Sequence, residues 1–205
     1  GRVGWLAAPR LCENCPSRAK RMVNRDNLAA ASCGPPQARA AHRVISRALA
    51  GVLVATSLVL IAPFFLVSLS RIAYPFELEF YEGIAIDNAW RLAHGLPIYG
   101  PPDAQFAPSH YPPLYYVVAL PFLVTSGWAL LGARLASWLA TVGAGAVGAR
   151  VVRRAGGSWA AVVFTLGSMA AFYAPTAHWY DLARVDAVET FFVVAGVAAL
   201  AAPDG

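Results

Sequence analysis

Long uncharged runs alternate with short polar stretches along this chain, and the length of each run decides what it can form. Ala48 to Ser70 carries no charged side chain over 23 positions, and a helix needs roughly 20 apolar residues to cross a bilayer. Residues 71–112 are polar enough to lie outside it. There Gly83 to His94 reads as a short helix, with Ala85, Ala89 and Leu92 spaced i, i+4, i+7. Gly95 supplies its stop and Pro97 forbids continuation. Gly100-Pro101-Pro102-Asp103 is a turn. Leu114 to Leu131 is apolar but interrupted by Pro121 and Gly127. Further runs follow at Leu135–Ala149, Ala155–Tyr180 and from about Thr190 onward. The pattern predicts an all-α integral membrane bundle with helices over about 48–70, 133–152, 159–175 and 187–202. The loops between them are expected at about 71–132 and 176–186.

Charge sets the expected topology. Arg2, Arg10, Arg18, Lys20, Arg21, Arg25, Arg39, Arg43 and Arg47 all precede the first apolar run, which places the N-terminus in the cytoplasm of a cell-membrane protein. Arg150, Arg153 and Arg154 form the strongest internal basic cluster and belong on the same side. An even number of crossings then separates them from the tail, so Leu114–Leu131 must dip into or lie along the outer surface. Trp159–Pro175 runs outward, and the loop His178–Asp186 returns to the side that holds the acids Glu77, Glu79, Glu82 and Asp87.

Composition agrees with a membrane protein: 58% of the 205 residues are hydrophobic and 13% charged, against about 25% charged in soluble domains. The formal charge of +5 invites a nucleic-acid reading, but its concentration in the tail speaks against one. The first run starts too far into the chain, and is too long, for a cleaved signal sequence. A start at Gly1 and a stop at Asp204-Gly205 directly after an apolar run read as a fragment truncated at its C-terminus. Residues 1–44 read as a basic, disordered tail. Its Cys12-x-x-Cys15 with Cys33 and His42 could form a Cys3His zinc site, although the Arg-, Ala- and Pro-rich surroundings favour a disordered leader. Thiols in a tail on the reducing side of the membrane do not indicate an oxidising compartment. Ala140, Ala144 and Gly148, at four-residue spacing, suit close helix packing.

Glu82 stands where the short helix begins, where the helix dipole favours an ionised carboxylate. Such a group can take a proton from a hydroxyl nucleophile, or simply cap the helix. In the second loop, His178-Trp179-Tyr180-Asp181-Leu182-Ala183-Arg184-Val185-Asp186 gathers polar groups beside an apolar run. Arg184 has the planar fork that suits a phosphate, and a purely structural Arg184–Asp186 pair is equally consistent with the sequence.

Several of these residues recur together in one family. Glu82-Gly83 is followed by Ala89-x-x-Leu92-x-x-Gly95-x-x-x-Tyr99, then Tyr111-Pro-Pro-Leu-Tyr-Tyr116, Gly132-x-Arg134-Leu135 and Arg184-x-Asp186. Over about residues 45–202 the chain resembles the N-terminal part of a GT-C fold glycosyltransferase, among bacterial relatives of protein O-mannosyltransferases and aminoarabinose transferases. The resemblance implies a multi-pass enzyme that uses a polyprenyl-phosphate sugar and inverts the anomeric centre. It places the first-loop acid on Glu82, as base or acceptor-orienting group, and the second-loop acid on Asp186. Glu79, Asp87, His110, Tyr111, Tyr115, His178, Asp181 and Arg184 are the expected substrate-binding residues. The family often shows Asp-Glu where this chain has Tyr81-Glu82. Its aminoarabinose branch has a Lys before Pro-Pro where His110 and Tyr111 stand here. A divalent cation, Mg²⁺ or Mn²⁺, between Glu82 and Asp186 is compatible with hard carboxylate ligands, with no third ligand in view. The expected partners are a lipid-linked sugar donor and membrane lipids, not nucleic acid. Two alternatives remain: a transporter segment, which would need acids inside the crossing runs, and a non-enzymatic membrane scaffold.

Overall fold

The computed structural model of the chain describes residues 36–103 and 106–201. The cysteine-containing segment with Cys12, Cys15 and Cys33, expected as a tail or zinc site, lies outside the described residues. Arg47–Gly205 forms one compact unit. Among the described residues the fold is all-helical: α1 (Pro36–Ile72), α2 (Tyr81–Ala93), α3 (Leu114–Thr125), α4 (Leu130–Arg154), α5 (Trp159–Ala171) and α6 (Val185–Leu200). Their only β pairing is one isolated bridge, Asp103 with Phe106. Two helical stretches, Ala41–Ile72 and Leu130–Arg154, are long and apolar enough to cross a membrane. With 12 residues, α3 spans roughly 18 Å, short of the ~30 Å of a hydrocarbon core.

Local chemistry explains the element ends. α2 closes in a paired-bond terminus, with Leu96 N–H donating to Arg91 O at 2.8 Å and Gly95 N–H to Leu92 O at 3.2 Å. That arrangement needs a left-handed residue after the cap, and Gly95 supplies it with φ +68°. α5 ends at Ala171 rather than at the expected Pro175. A proline ring collides with the carbonyl four residues earlier, which here is Ala171. Ser158 starts α5 by accepting from Ala161 N–H at 3.2 Å. α1 begins at Pro36, so helix reaches into the segment expected to be tail.

α4 is the centre of the bundle, packed against α2, α3, α5 and α6. Its small residues are spent on those contacts. A Cβ on Gly143 would stand 3.0 Å from the Phe191 ring of α6, and one on Gly145 would stand 3.1 Å from Leu166 of α5. A Cβ on Gly132 would run into the Phe122 carbonyl, so α3 and α4 can meet this closely only at glycine. α1 joins through Ser68, which accepts from Trp138 Nε1 at 3.1 Å, and through Phe65, whose ring meets Trp138 edge-on. The consequence for function lies at one end of α4, where the 73–80 segment, α2 and the 172–184 loop all converge.

Candidate functional site

Arg134 and Glu82 form the base of this convergence, and both side chains are fully buried. Arg134 Nε donates to Glu82 Oε1 at 2.8 Å and Nη2 to Oε2 at 2.7 Å, a two-point fork. The rest of the guanidinium donates to the carbonyls of Arg71 (2.9 Å), Tyr74 (2.6 Å) and Phe76 (2.8 Å). Glu82 in turn accepts from Leu78 N–H at 2.7 Å and from Ala183 N–H at 3.1 Å. Burial pushes the Glu82 carboxyl upward, but Arg134 and the two backbone N–H groups outweigh it and hold it below its ordinary value. Every oxygen lone pair of Glu82 thus faces a donor. The residue expected as a base is ionised, enclosed and occupied, and it ties α2, α4 and the second loop together.

Arg184, one residue beyond Ala183, carries the second cluster. Its Nε donates to Asp186 Oδ2 at 2.9 Å and its Nη1 lies 3.3 Å from Glu79 Oε2. Its guanidinium is stacked 4.0 Å from the Trp179 ring centroid and 5.1 Å from that of Tyr81. Burial alone would lower the Arg184 pKa, yet Asp186 and Glu79 carry it above its ordinary value. The Asp186 side chain is 43% exposed and that of Glu79 21%, so these are the carboxylates an incoming molecule can reach. Two α4 hydroxyls fix the backbone beneath: Ser137 donates to Arg184 O at 3.3 Å and Thr141 to Tyr180 O at 2.7 Å.

A third group braces the 172–184 loop. Tyr173 Oη donates to Asp181 Oδ1 at 2.7 Å, and Arg71 Nη1 lies 3.7 Å from the same oxygen. Asp181 is fully buried and its Oδ2 has no hydrogen-bond partner. Burial is the largest influence on it and leaves its pKa raised despite Tyr173 and Arg71. Ala177 and His178 both take left-handed backbone, at φ 52° and 62°, a conformation that costs about 1–3 kcal/mol for residues other than glycine. This strained corner carries Trp179 under Arg184.

The expected site residues therefore separate. His110, Tyr111, Arg184 and Asp186 line one recess with Tyr81, and Glu79 joins them only through its ion pair with Arg184. That recess has about 20 Å³ of room, enough for one water. Tyr111 uses its carbonyl to accept from Tyr99 Oη at 2.9 Å and presents its ring edge to Tyr81. Asp87 is exposed on the outer flank of α2, bordering an open groove that His110 shares. Tyr115 is buried between helices, donating to Ala133 O at 3.2 Å, and does not reach the recess. His178 packs edge-on against Tyr173. An apolar cleft of about 480 Å³ runs between α4, α5 and α6, with Asp186, Trp179 and Thr176 among its lining.

The sequence pattern gave Arg134 a place in a motif but no role. Its signal was there: a lone arginine within an apolar helix calls for a named partner. The expected cation site between Glu82 and Asp186 does not fit these residues. Glu82 is filled by N–H donors, and Glu79 and Asp186 already share a guanidinium. Among the described residues, no group of three or more His, Cys, Asp or Glu could hold a metal ion. Comparison with protein-family models, curated proteins and solved structures gave no match for this chain.

Proposed function

We propose that this chain is part of a multi-pass membrane glycosyltransferase of GT-C type. It transfers a sugar from a polyprenyl-phosphate donor to an acceptor on the extracytoplasmic face, with inversion. In this reading α1 and α4 cross the bilayer, α2 and α3 stand at the outer surface, and α5 and α6 run out and back beside α4. The basic end of α4, at Arg150, Arg153 and Arg154, faces the cytoplasm with the N-terminus.

One observation carries the proposal. Asp186 borders an apolar cleft while its carboxylate rests on Arg184, and Arg184 is paired with Glu79 from the other loop. A lipid chain suits the cleft and its phosphate suits the guanidinium fork. The acceptor hydroxyl oxygen attacks the anomeric carbon as the bond to the phosphate oxygen breaks, and that electron pair leaves with the lipid phosphate. Asp186 takes the hydroxyl proton, a role that its partial exposure permits and that Glu82's enclosure does not. Proton arrival removes one of the two carboxylate charges on Arg184 as negative charge develops on the phosphate, so the guanidinium is released to stabilise the leaving group. Glu79 holds Arg184 in the resting site. No step passes through a metal ion.

The test is sugar transfer in membranes containing the natural full-length protein, supplied with labelled polyprenyl-phosphate sugars. Asp186→Asn is expected to lower transfer by about 100-fold or more at unchanged protein level, the scale of losing a general base. Full transfer by Asp186→Asn would remove it as the base. No transfer by wild type with any donor would end the glycosyltransferase reading.

A further inference from the structure

We propose that Arg134 is the positioning residue of the Glu79–Arg184–Asp186 site, acting through Glu82 to set the distance between the two loops that build it. This rests on that cluster being the working site, as proposed above. Neither Arg134 nor Glu82 faces the recess, and both are fully buried.

Bonds run outward from Arg134 in two directions. The guanidinium gathers the carbonyls of Arg71, Tyr74 and Phe76, which fixes the stretch of chain leading to Glu79. The same guanidinium orients both oxygens of Glu82. Glu82 Oε1 then accepts from Ala183 N–H at 3.1 Å, and Ala183 directly precedes Arg184. Thus one cation on α4 holds the backbone on both sides of the Glu79–Arg184 contact, which is itself 3.3 Å. Covalent connection cannot set this spacing, since Glu82 and Ala183 are 101 positions apart. A free loop could move Arg184 by an ångström or more, and misplacement by about 1 Å can cost about 10²-fold in rate. Lysine cannot reproduce the junction: it has one nitrogen and no planar fork with which to serve two carboxylate oxygens and three carbonyls.

Two readouts on the natural full-length protein test this. The first is the distance between spin labels at Phe80 and Ala174, both exposed and on opposite loops. Wild type should give one narrow distribution, and Arg134→Lys and Glu82→Gln should both broaden it in protein that still inserts normally. Glu82→Gln serves if Arg134→Lys fails to accumulate, because its amide N–H₂ would confront donors where a carboxylate oxygen accepted. The second readout is transfer kinetics, where kcat should fall about 10- to 100-fold with KM changed far less. A merely stabilising pair would lower the amount of protein and leave kcat per folded molecule alone. Unchanged distances in both variants overturn the inference, whatever the activity. Broadened distances with no transfer even from wild type would sink the glycosyltransferase reading while leaving Arg134's positioning role supported.

Discussion

Removing the Arg134 guanidinium offers a demanding check on this architecture, because the cost should depend on pH in a way that only a buried partner explains. In Arg134→Met the Glu82 carboxyl keeps its fully buried position and loses its counter-charge. Breaking such a pair typically costs about 3–5 kcal/mol. An independent route gives a similar figure. Without Arg134 only the Leu78 and Ala183 N–H groups oppose the burial that raises this carboxyl, so its pKa moves upward. A carboxyl that folds protonated against an ordinary value of 4.5 costs at most about 1.36 kcal/mol per pH unit, an upper bound of about 3.4 kcal/mol at pH 7 and about 0.7 kcal/mol at pH 5. In wild type the folded pKa is lowered, so the stability Glu82 contributes is present above 4.5 and is lost as pH falls through the folded value. The variant's deficit must therefore grow with rising pH. Three carbonyls also lose a donor, a part of the loss that does not depend on pH. Chemical unfolding in mild detergent at pH 5 and pH 7 measures both parts, and Glu82→Gln/Arg134→Met, which carries neither charge, should show no such pH dependence. A deficit below about 1 kcal/mol at pH 7, or one equal at both pH values, would refute the reasoning.

Three further outcomes are expected. Gly132→Ala should destabilise by about 1–3 kcal/mol, because its methyl would press on the Phe122 carbonyl; a neutral result in the same unfolding assay would mean that the α3–α4 corner is loose. Asp181 has a raised folded pKa, so the folded state holds its proton longer and stability should fall as pH climbs from 3.8 through the folded value. Asp181→Asn should flatten that stretch of a Tm-against-pH curve, and identical curves would count against the assignment. Finally, cysteines placed at Phe80 and Ala177 in a chain lacking Cys12, Cys15 and Cys33 should react with an impermeant maleimide from outside intact cells. One placed at Gly156 should react only after lysis, and labelling of Gly156 from outside would invert the proposed topology.

What could be read from the sequence followed from local causes. The uncharged runs Ala48–Ser70 and Leu135–Ala149 lie within α1 and α4, the run Ala155–Tyr180 contains α5 but extends nine residues beyond it, and the 83–94 periodicity lies within one residue or two of α2. Gly95 as the stop needed only the knowledge that a left-handed residue must follow a helix end. Counting charges put both acidic loops on one side, but the pair the sequence suggested was Arg184 with Asp186, and the Glu79–Arg184 contact that joins the loops was not foreseen. What was not legible is which acid would be enclosed and which exposed. Glu82 and Glu79 are three residues apart and carry the same group, and their sequence surroundings gave Glu82 the better claim to chemistry.

Hydrophobic period, glycine and proline placement and the distribution of arginine therefore located α1, α2, α4, α5 and α6 and their order, because each acts over a few residues or through a sum over the chain, while α3 falls inside the stretch expected as loop. The tertiary structure alone decided that Arg134 takes both oxygens of Glu82, that Ala183 N–H joins them and that Asp186 is left beside the cleft. Those outcomes depend on distances between residues 52 and 101 positions apart. Whether a carboxylate serves as a buried tie or a reachable base depends on which donors fill its lone pairs, and those donors are brought to it only by packing.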